Sequence, residues 1–161
     1  MKKIGEYIVY KKAVYKILEI KKKYFNDLDY YILIPVNDSS LIVKLPVENK
    51  DIRNVISKDG VENIINKMPN IEIIDSDERL IENEYKKLMM NGSYEDLIKI
   101  IKTTYLRNKK RSDNNKKIGD KDDHYFKRAE DYLYTEFGVA LNMTNNEVRD
   151  YILDKINNIG R

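Results

Sequence analysis

One short segment carries residues that are typical of catalysis, because three aspartates, Asp120, Asp122 and Asp123, closely precede the single histidine, His124. Carboxylates beside an imidazole can support acid–base chemistry or bind a metal ion. The same residues also suit the first turn of a helix, where acids favour the macrodipole and a histidine faces solvent. We therefore expect no catalytic residue and no metal site, and a small hydrolase that uses His124 is the last of the alternatives.

The composition excludes several other kinds of site. The chain of 161 residues has no cysteine, no tryptophan and one histidine. It therefore has no disulfide scaffold, thiol nucleophile or multi-histidine metal centre. Its six glycines are scattered and form no phosphate-binding loop. We expect a protein that is not an enzyme and that needs no cofactor.

Two basic segments are the stronger functional signal. Residues 2–23 carry eight lysines against two glutamates, and residues 107–117 carry six basic residues against one aspartate, although the whole chain has a net charge of only +3. Such segments bind phosphates or acidic protein surfaces, or they are simply solvated faces. Among the thirteen tyrosines, Tyr7, Tyr10 and Tyr24 are candidates for stacking on bases, with packing as the alternative.

The first basic segment lies in a part of the chain that is predicted to form strands. Short runs of β-branched and aromatic residues occur at about 4–10, 14–20, 30–34 and 41–45, and the basic triplet Lys21–Lys23 is expected to end the second run. Asn26-Asp27 predicts a tight turn. Residues 1–54 are therefore predicted to form a small barrel or a strongly bent antiparallel sheet of the SH3-like or Tudor-like kind.

The second basic segment lies in a part that is predicted to be helical. Residues 55–161 show apolar spacing typical of about five helices, with Gly92 and Gly138 at helix ends and capping boxes at Ser93–Asp96 and Thr144–Glu147. A polar loop is expected over residues 108–117. The fold class is α+β, with a small β-barrel domain followed by an all-α domain.

The order of these segments resembles the CarD/CdnL family of bacterial transcription regulators that bind RNA polymerase. Residues 4–10 are similar to the opening family motif V-G-D-x-V-V-Y, and residues 41–49 are similar to its strand that ends in V-P-x-E-N. Residues 91–93, 104–109 and 127–133 resemble the helical motifs that follow. The resemblance extends over nearly the whole chain.

The resemblance implies that residues 1–54 form a Tudor-like RNA polymerase-interaction domain, as in transcription-repair coupling factors. Such a domain binds the lobe of the polymerase β subunit by pairing with a strand edge and through basic side chains. The family's basic contacts fall on Lys21 and Lys44, with Ile42 and Leu45 as neighbours. Strand alternation also allows one of those two apolar residues to pack inward. The implied polymerase-binding residues are Lys21, Lys22, Lys23, Ile42, Lys44 and Leu45.

The resemblance also implies that the helical part contacts promoter DNA, where the family inserts a tryptophan wedge into the minor groove. This chain has no tryptophan, and the wedge position falls near Glu78. Contacts to DNA phosphates are therefore expected from basic side chains. The candidates are Arg79, Lys86, Lys87, Arg107, Lys109, Lys110 and Arg111.

The expected protein is a cytoplasmic bacterial regulator of transcription that binds the RNA polymerase β subunit and modulates the stability of the promoter open complex. No apolar run approaches the length of a membrane helix, and no signal peptide is apparent, so no membrane partner is expected. A monomer is the favoured state. Two alternatives stay open, namely a polymerase-binding protein that does not contact DNA and a stand-alone module that binds nucleic acid or an acidic partner.

Overall fold

The fold is α+β, with a five-stranded antiparallel sheet followed by five α-helices. The computed structural model describes residues 2–159, with side chains up to Lys155, so residues 160–161 at the end of the predicted helical domain lie outside the described residues. The strands are β1 (Tyr7–Tyr10), β2 (Ala13–Phe25), β3 (Leu28–Pro35), β4 (Val43–Pro46) and β5 (Arg53–Asn54). The helices are α1 (Lys58–Lys67), α2 (Ile81–Asn91), α3 (Tyr94–Asp113), α4 (Asp120–Leu141) and α5 (Asn145–Ile159).

The sheet curls into a half-barrel with the strand order β4-β3-β2-β1-β5. The register between β2 and β3 shifts twice, once between Ile17 and Glu19 and once between Lys21 and Phe25. Such bulges increase the local twist and bend a strand. The prediction that the basic triplet ends the second strand is wrong, because the bulge absorbs Lys23 at a φ of 46° and β2 continues to Phe25.

Two tight hairpin loops join the first three strands. Lys11 and Lys12 connect β1 to β2, and Asn26 and Asp27 connect β2 to β3. All four residues have positive φ, as a type I′ loop requires. The predicted turn at Asn26-Asp27 is therefore confirmed, and asparagine and aspartate tolerate this left-handed backbone better than lysine does.

The sheet has its own small core. Ile8, Ile17, Tyr31 and Leu33 are at most 2% exposed and pack against one another on one face. Val9 and Val14 are cross-strand partners that alternate to the opposite face, and they are also buried. Helix α4 packs against β2, so both faces of this part of the sheet are covered.

The helices enclose a second and larger apolar core, to which α1 to α5 all contribute. The predicted signals at their ends are confirmed at several places. Gly92 ends the second helix with a φ of 66°, and Ser93 and Asp96 form a complete capping box. Thr144 and Glu147 exchange the same pair of hydrogen bonds at 3.1 and 3.2 Å. Each bond satisfies a backbone N–H that lies near a helix start.

Two predicted helix ends are wrong. Helix α3 continues to Asp113, so most of the predicted polar loop over residues 108–117 is helical. Its lysines and arginine are good helix formers, and the polar run alone did not mark an end. Gly138 lies inside α4, which ends at Leu141 with Asn142 in the left-handed region. A Cβ on Gly138 would come within 2.5 Å of the Met143 carbonyl oxygen, so this glycine permits a close approach of the chain.

Candidate functional site

Strand β4 is one edge of the sheet and pairs only with β3 in the described chain. Its other edge pairs with no strand of the described residues, and such an edge is a template for a strand from another protein. Ile42 immediately precedes β4 and is 62% exposed, whereas Leu45 packs against the core of the sheet. The two residues that were predicted as neighbours in a contact therefore lie on different sides, and Ile42 is the accessible one.

Two of the predicted basic residues meet at one exposed aromatic ring. The Lys21 and Lys44 ammonium groups lie 5.1 and 5.2 Å from the ring centroid of Tyr24. Lys44 Nζ also donates a hydrogen bond of 2.9 Å to the Tyr24 hydroxyl, which lowers the pKa of that tyrosine. The ring of Tyr24 packs edge-on against Tyr30 at 5.4 Å. The arrangement holds two positive charges beside the β4 edge, because a cation is attracted to the face of an aromatic ring.

Lys22 and Lys23 lie at the bulge that follows Lys21, and both side chains are exposed. Asp29 binds this turn, since it accepts a bond of 3.0 Å from the backbone N–H of Lys23 and one of 3.2 Å from Lys22 Nζ. These bonds, the backbone bond above all, lower the pKa of Asp29. The basic triplet therefore has a defined backbone, with Lys22 partly neutralised by Asp29.

The predicted DNA-binding residues fall into two groups. Arg79 precedes α2, and Lys86 and Lys87 are exposed on that helix, where they lie 3.6 Å from Glu82 and 3.8 Å from Glu84 respectively. The other predicted residues lie in the last two turns of α3. Lys109 pairs with Asp113 at 3.5 Å, while Arg107, Lys110 and Arg111 line one cleft with Glu78, Asn114 and Lys116.

Arg107 and Arg111 are held from behind by a buried carboxylate. Asp122 is 1% exposed and accepts bonds from Arg107 Nε at 2.8 Å, from Arg111 Nη1 at 2.6 Å and from the Tyr85 hydroxyl at 2.7 Å. Burial alone would raise the pKa of Asp122, but these three hydrogen bonds together lower it. Asp122 is thus an ionised anchor for two arginines, and not only a first-turn residue that favours the helix dipole.

Glu78 approaches the same two arginines from the solvent side. Its carboxylate is hydrogen-bonded to Arg107 Nη2 and lies 3.7 Å from Arg111 Nη2 and 3.9 Å from Lys121 Nζ. The side chain of Glu78 is 65% exposed. The hydrogen bond from Arg107, followed by the charges of its basic neighbours, lowers the pKa of Glu78. Both predicted arginines therefore already have intramolecular partners.

The histidine cluster does not assemble. His124 is exposed and lies edge-on to the Tyr125 ring, with the ring centroids 5.4 Å apart, while Asp122 faces the arginines. Within residues 2–155, no three histidine, aspartate or glutamate side chains are arranged to hold a metal ion. No helix of the described chain is both long and apolar enough to cross a bilayer.

Helix α4 carries three buried carboxylates, and each binds an arginine from a different element. Asp122 binds α3, Glu130 binds Arg149 of α5 at 2.7 Å, and Glu136 binds Arg53 of β5 at 2.8 Å. These roles were not predicted from the sequence. The signal was present, because Asp122 and Glu136 occur at helical spacing with the apolar residues Tyr125, Ala129 and Leu133. A carboxylate on an apolar stripe needs a charged partner.

No protein-family model matches the sequence, and no curated protein matches it significantly.

Proposed function

We propose that the chain is a non-enzymatic transcription regulator that binds the β subunit of bacterial RNA polymerase through the sheet and modulates promoter open-complex stability through the helices. The resemblance of its motifs to the CarD/CdnL family supports this proposal. A cytoplasmic protein that acts as a monomer fits the same role.

The strand order supports a Tudor-like identity for residues 1–54. Strands β1 to β4 form a meander, and β5 returns to pair with β1 through Ile8 and Asn54. SH3-like and Tudor-like barrels are of this size, with four or five short strands joined by tight turns. Here β2 has 13 residues and two register shifts. The half-barrel therefore suits a small interaction domain.

The observation that carries the proposal is the free edge of β4 beside two lysines. An incoming strand of the polymerase would pair with the backbone of β4, and main-chain hydrogen bonds of this kind supply affinity without a deep pocket. Lys21 and Lys44 would meet acidic side chains of the partner, and Ile42 would be covered. Lysine keeps the charge that an arginine would bring, but it lacks the planar fork for a two-point bond.

The effect on transcription follows from differential binding. A bound regulator shifts the balance between closed and open promoter complexes only by the difference in its affinity for the two. A contact worth about 1.4 kcal/mol in the open complex alone would shift that balance about tenfold. Exposed cations such as Arg79, Lys86 and Lys110 would supply it by neutralising phosphates, because this chain has no tryptophan to act as a wedge.

A pull-down with cognate RNA polymerase tests the interface. Lys44→Glu should abolish capture, since it reverses one charge at the β4 edge and removes the contact with Tyr24. Lys50→Glu is the matched control, because Lys50 is also exposed in the first 54 residues but lies outside the strands. Equal capture of the Lys44 variant and the wild type would contradict the proposed interface.

A second candidate function is a polymerase-binding protein that does not contact DNA. It is favoured by the internal pairing of Arg107 and Arg111 with Asp122 and Glu78, which reduces the charge available to phosphates. Binding of the chain to forked promoter DNA at low salt distinguishes the two. The regulator with a DNA contact should bind and lose affinity steeply as salt rises, whereas the second candidate should show no binding.

A further inference from the structure

The open cleft at the end of α3 is lined by more positive than negative side chains. Its volume is about 270 Å³, and its lining contains Glu78, Arg107, Lys110, Arg111, Asn114 and Lys116. Four of these side chains are cationic and one is anionic, and the buried carboxylate of Asp122 behind the arginines neutralises part of this positive charge. The volume lies just below the usual range for small-ligand sites, about 300–1,000 Å³, and suits a compact anion.

The two arginines of this cleft are pre-organised. Asp122 accepts hydrogen bonds from Arg107 Nε and Arg111 Nη1, so one edge of each guanidinium group is held against the protein. Asn108 Oδ1 accepts a further bond of 2.6 Å from Arg111. The nitrogens Nη2 of both arginines point to the other side, where Glu78 lies. Fixed guanidinium groups bind phosphate oxygens well, because little side-chain freedom is left to lose.

Glu78 occupies the place where an anion would bind these nitrogens. It is the only carboxylate in the cleft lining, and it is exposed. It lies in the turn before α2, in which the N–H of Leu80 bonds to the carbonyl of Asp77 at 2.9 Å. A rotation of its side chain alone would vacate the position. Exposed ion pairs are weak, so an anion with two or more charges can displace a single carboxylate.

We propose that this cleft is a binding site for a phosphate group, with Glu78 as an internal competitor for Arg107 and Arg111. Lys110 and Lys116 would bind the outer oxygens of the ligand. The site does not depend on the proposed polymerase contact, which lies on the sheet. The phosphate can belong to a small polyphosphate or to a nucleic-acid backbone, and both offer the same oxygens.

Calorimetric titration of the full chain with inorganic pyrophosphate at low salt tests the site. Glu78→Gln should tighten binding about fivefold, the upper end of what an exposed ion pair contributes. The double variant Lys110→Gln/Lys116→Gln should weaken it by at least the same factor. The double variant Lys58→Gln/Lys67→Gln is the control for loss of two charges, because both lysines are exposed on α1 and outside the cleft. Circular dichroism confirms that each variant is folded.

Two results would overturn the proposal. One is the absence of measurable binding to both the wild type and Glu78→Gln. The other is an equal loss of affinity in Lys58→Gln/Lys67→Gln and in the double cleft variant, which would mean unspecific attraction. Competition with forked DNA then identifies the source of the phosphate. Displacement of pyrophosphate by DNA assigns the site to a nucleic-acid backbone, and retention of pyrophosphate assigns it to a small ligand.

Discussion

Arg53 and Glu136 form a two-point ion pair that ties the sheet to the helices. Arg53 Nη1 and Nη2 donate to Glu136 Oε2 and Oε1 at 2.9 and 2.8 Å, and the carboxylate is 3% exposed. Glu136 also accepts bonds from the backbone N–H of Ile56 at 2.9 Å and from the Tyr94 hydroxyl at 2.6 Å. One carboxylate of α4 thus binds β5, the link that follows it and the start of α3.

We predict that Glu136→Gln lowers the free energy of unfolding by about 2 kcal/mol at neutral pH. Loss of one partner from a fully buried pair costs about 3–5 kcal/mol, and the half-exposed guanidinium of Arg53 reduces this cost. Urea denaturation followed by circular dichroism measures the change. Glu48→Gln, at an exposed position, is the control. A loss below about 0.5 kcal/mol for Glu136→Gln would show that this pair does not hold the two parts together.

The fold class followed from local signals, whereas the ion pairs of α4 did not. Ser93, Gly92 and Thr144 act through neighbours within four residues, so their roles could be inferred from spacing alone. Arg53 and Glu136 are 83 positions apart. The sequence around either residue does not indicate which residue it pairs with, because the pairing depends on how β5 and α4 pack.

The basic segment over residues 107–117 also has partners that are distant in the sequence and could not be predicted from it. Its charge count predicted a solvent-exposed segment that binds phosphates or an acidic protein surface, or is simply solvated. The structure buries one side of Arg107 and Arg111 against Asp122 and leaves Lys110 and Lys116 at the rim. A charge sum over a segment cannot report which charges are cancelled by residues from other segments.

We predict that Asp122 makes the free energy of unfolding decrease at acidic pH. Its pKa in the folded chain lies below the ordinary value of 3.8, because the bonds from Tyr85, Arg111 and Arg107 outweigh the effect of burial. The unfolded chain therefore takes up the proton first as the pH falls. The contribution of Asp122 is complete above about pH 5 and is lost as the pH falls through 4 toward the folded pKa.

Asp122→Asn tests this dependence. It should cost about 3 kcal/mol at pH 7, since it removes the buried carboxylate and leaves the two arginines only the exposed carboxylate of Glu78. The difference in unfolding free energy between wild type and variant should shrink between pH 5 and pH 2. Asp120→Asn changes an exposed residue of the same turn and should leave the pH profile unchanged in shape. A difference between wild type and Asp122→Asn that stays constant down to pH 2 would contradict the lowered pKa.

We predict that Lys11→Asn stabilises the chain by about 0.5 kcal/mol. Lys11 has a φ of 48° in the two-residue loop between β1 and β2, and asparagine adopts this backbone at lower cost than lysine. The neighbouring Lys12 is left in place, because its side chain covers Gly92. Lys3→Asn, at an exposed position outside the strands, is the control for the loss of a lysine. A lower unfolding temperature for Lys11→Asn would show that its side chain makes a contact that matters more than the backbone.

We predict that Ile42 and Leu45 have different roles at the β4 edge, the first in binding and the second in packing. Ile42→Asp should abolish capture of cognate RNA polymerase while it changes the unfolding free energy by less than about 0.5 kcal/mol, since Ile42 is 62% exposed. Leu45→Ala should do the reverse, with a stability loss of about 1–2 kcal/mol and capture retained at temperatures where the variant is folded, because Leu45 packs into the sheet core. If Ile42→Asp binds polymerase as well as the wild type does, the exposed edge is not the docking surface. If Leu45→Ala loses capture while fully folded, Leu45 itself reaches the partner.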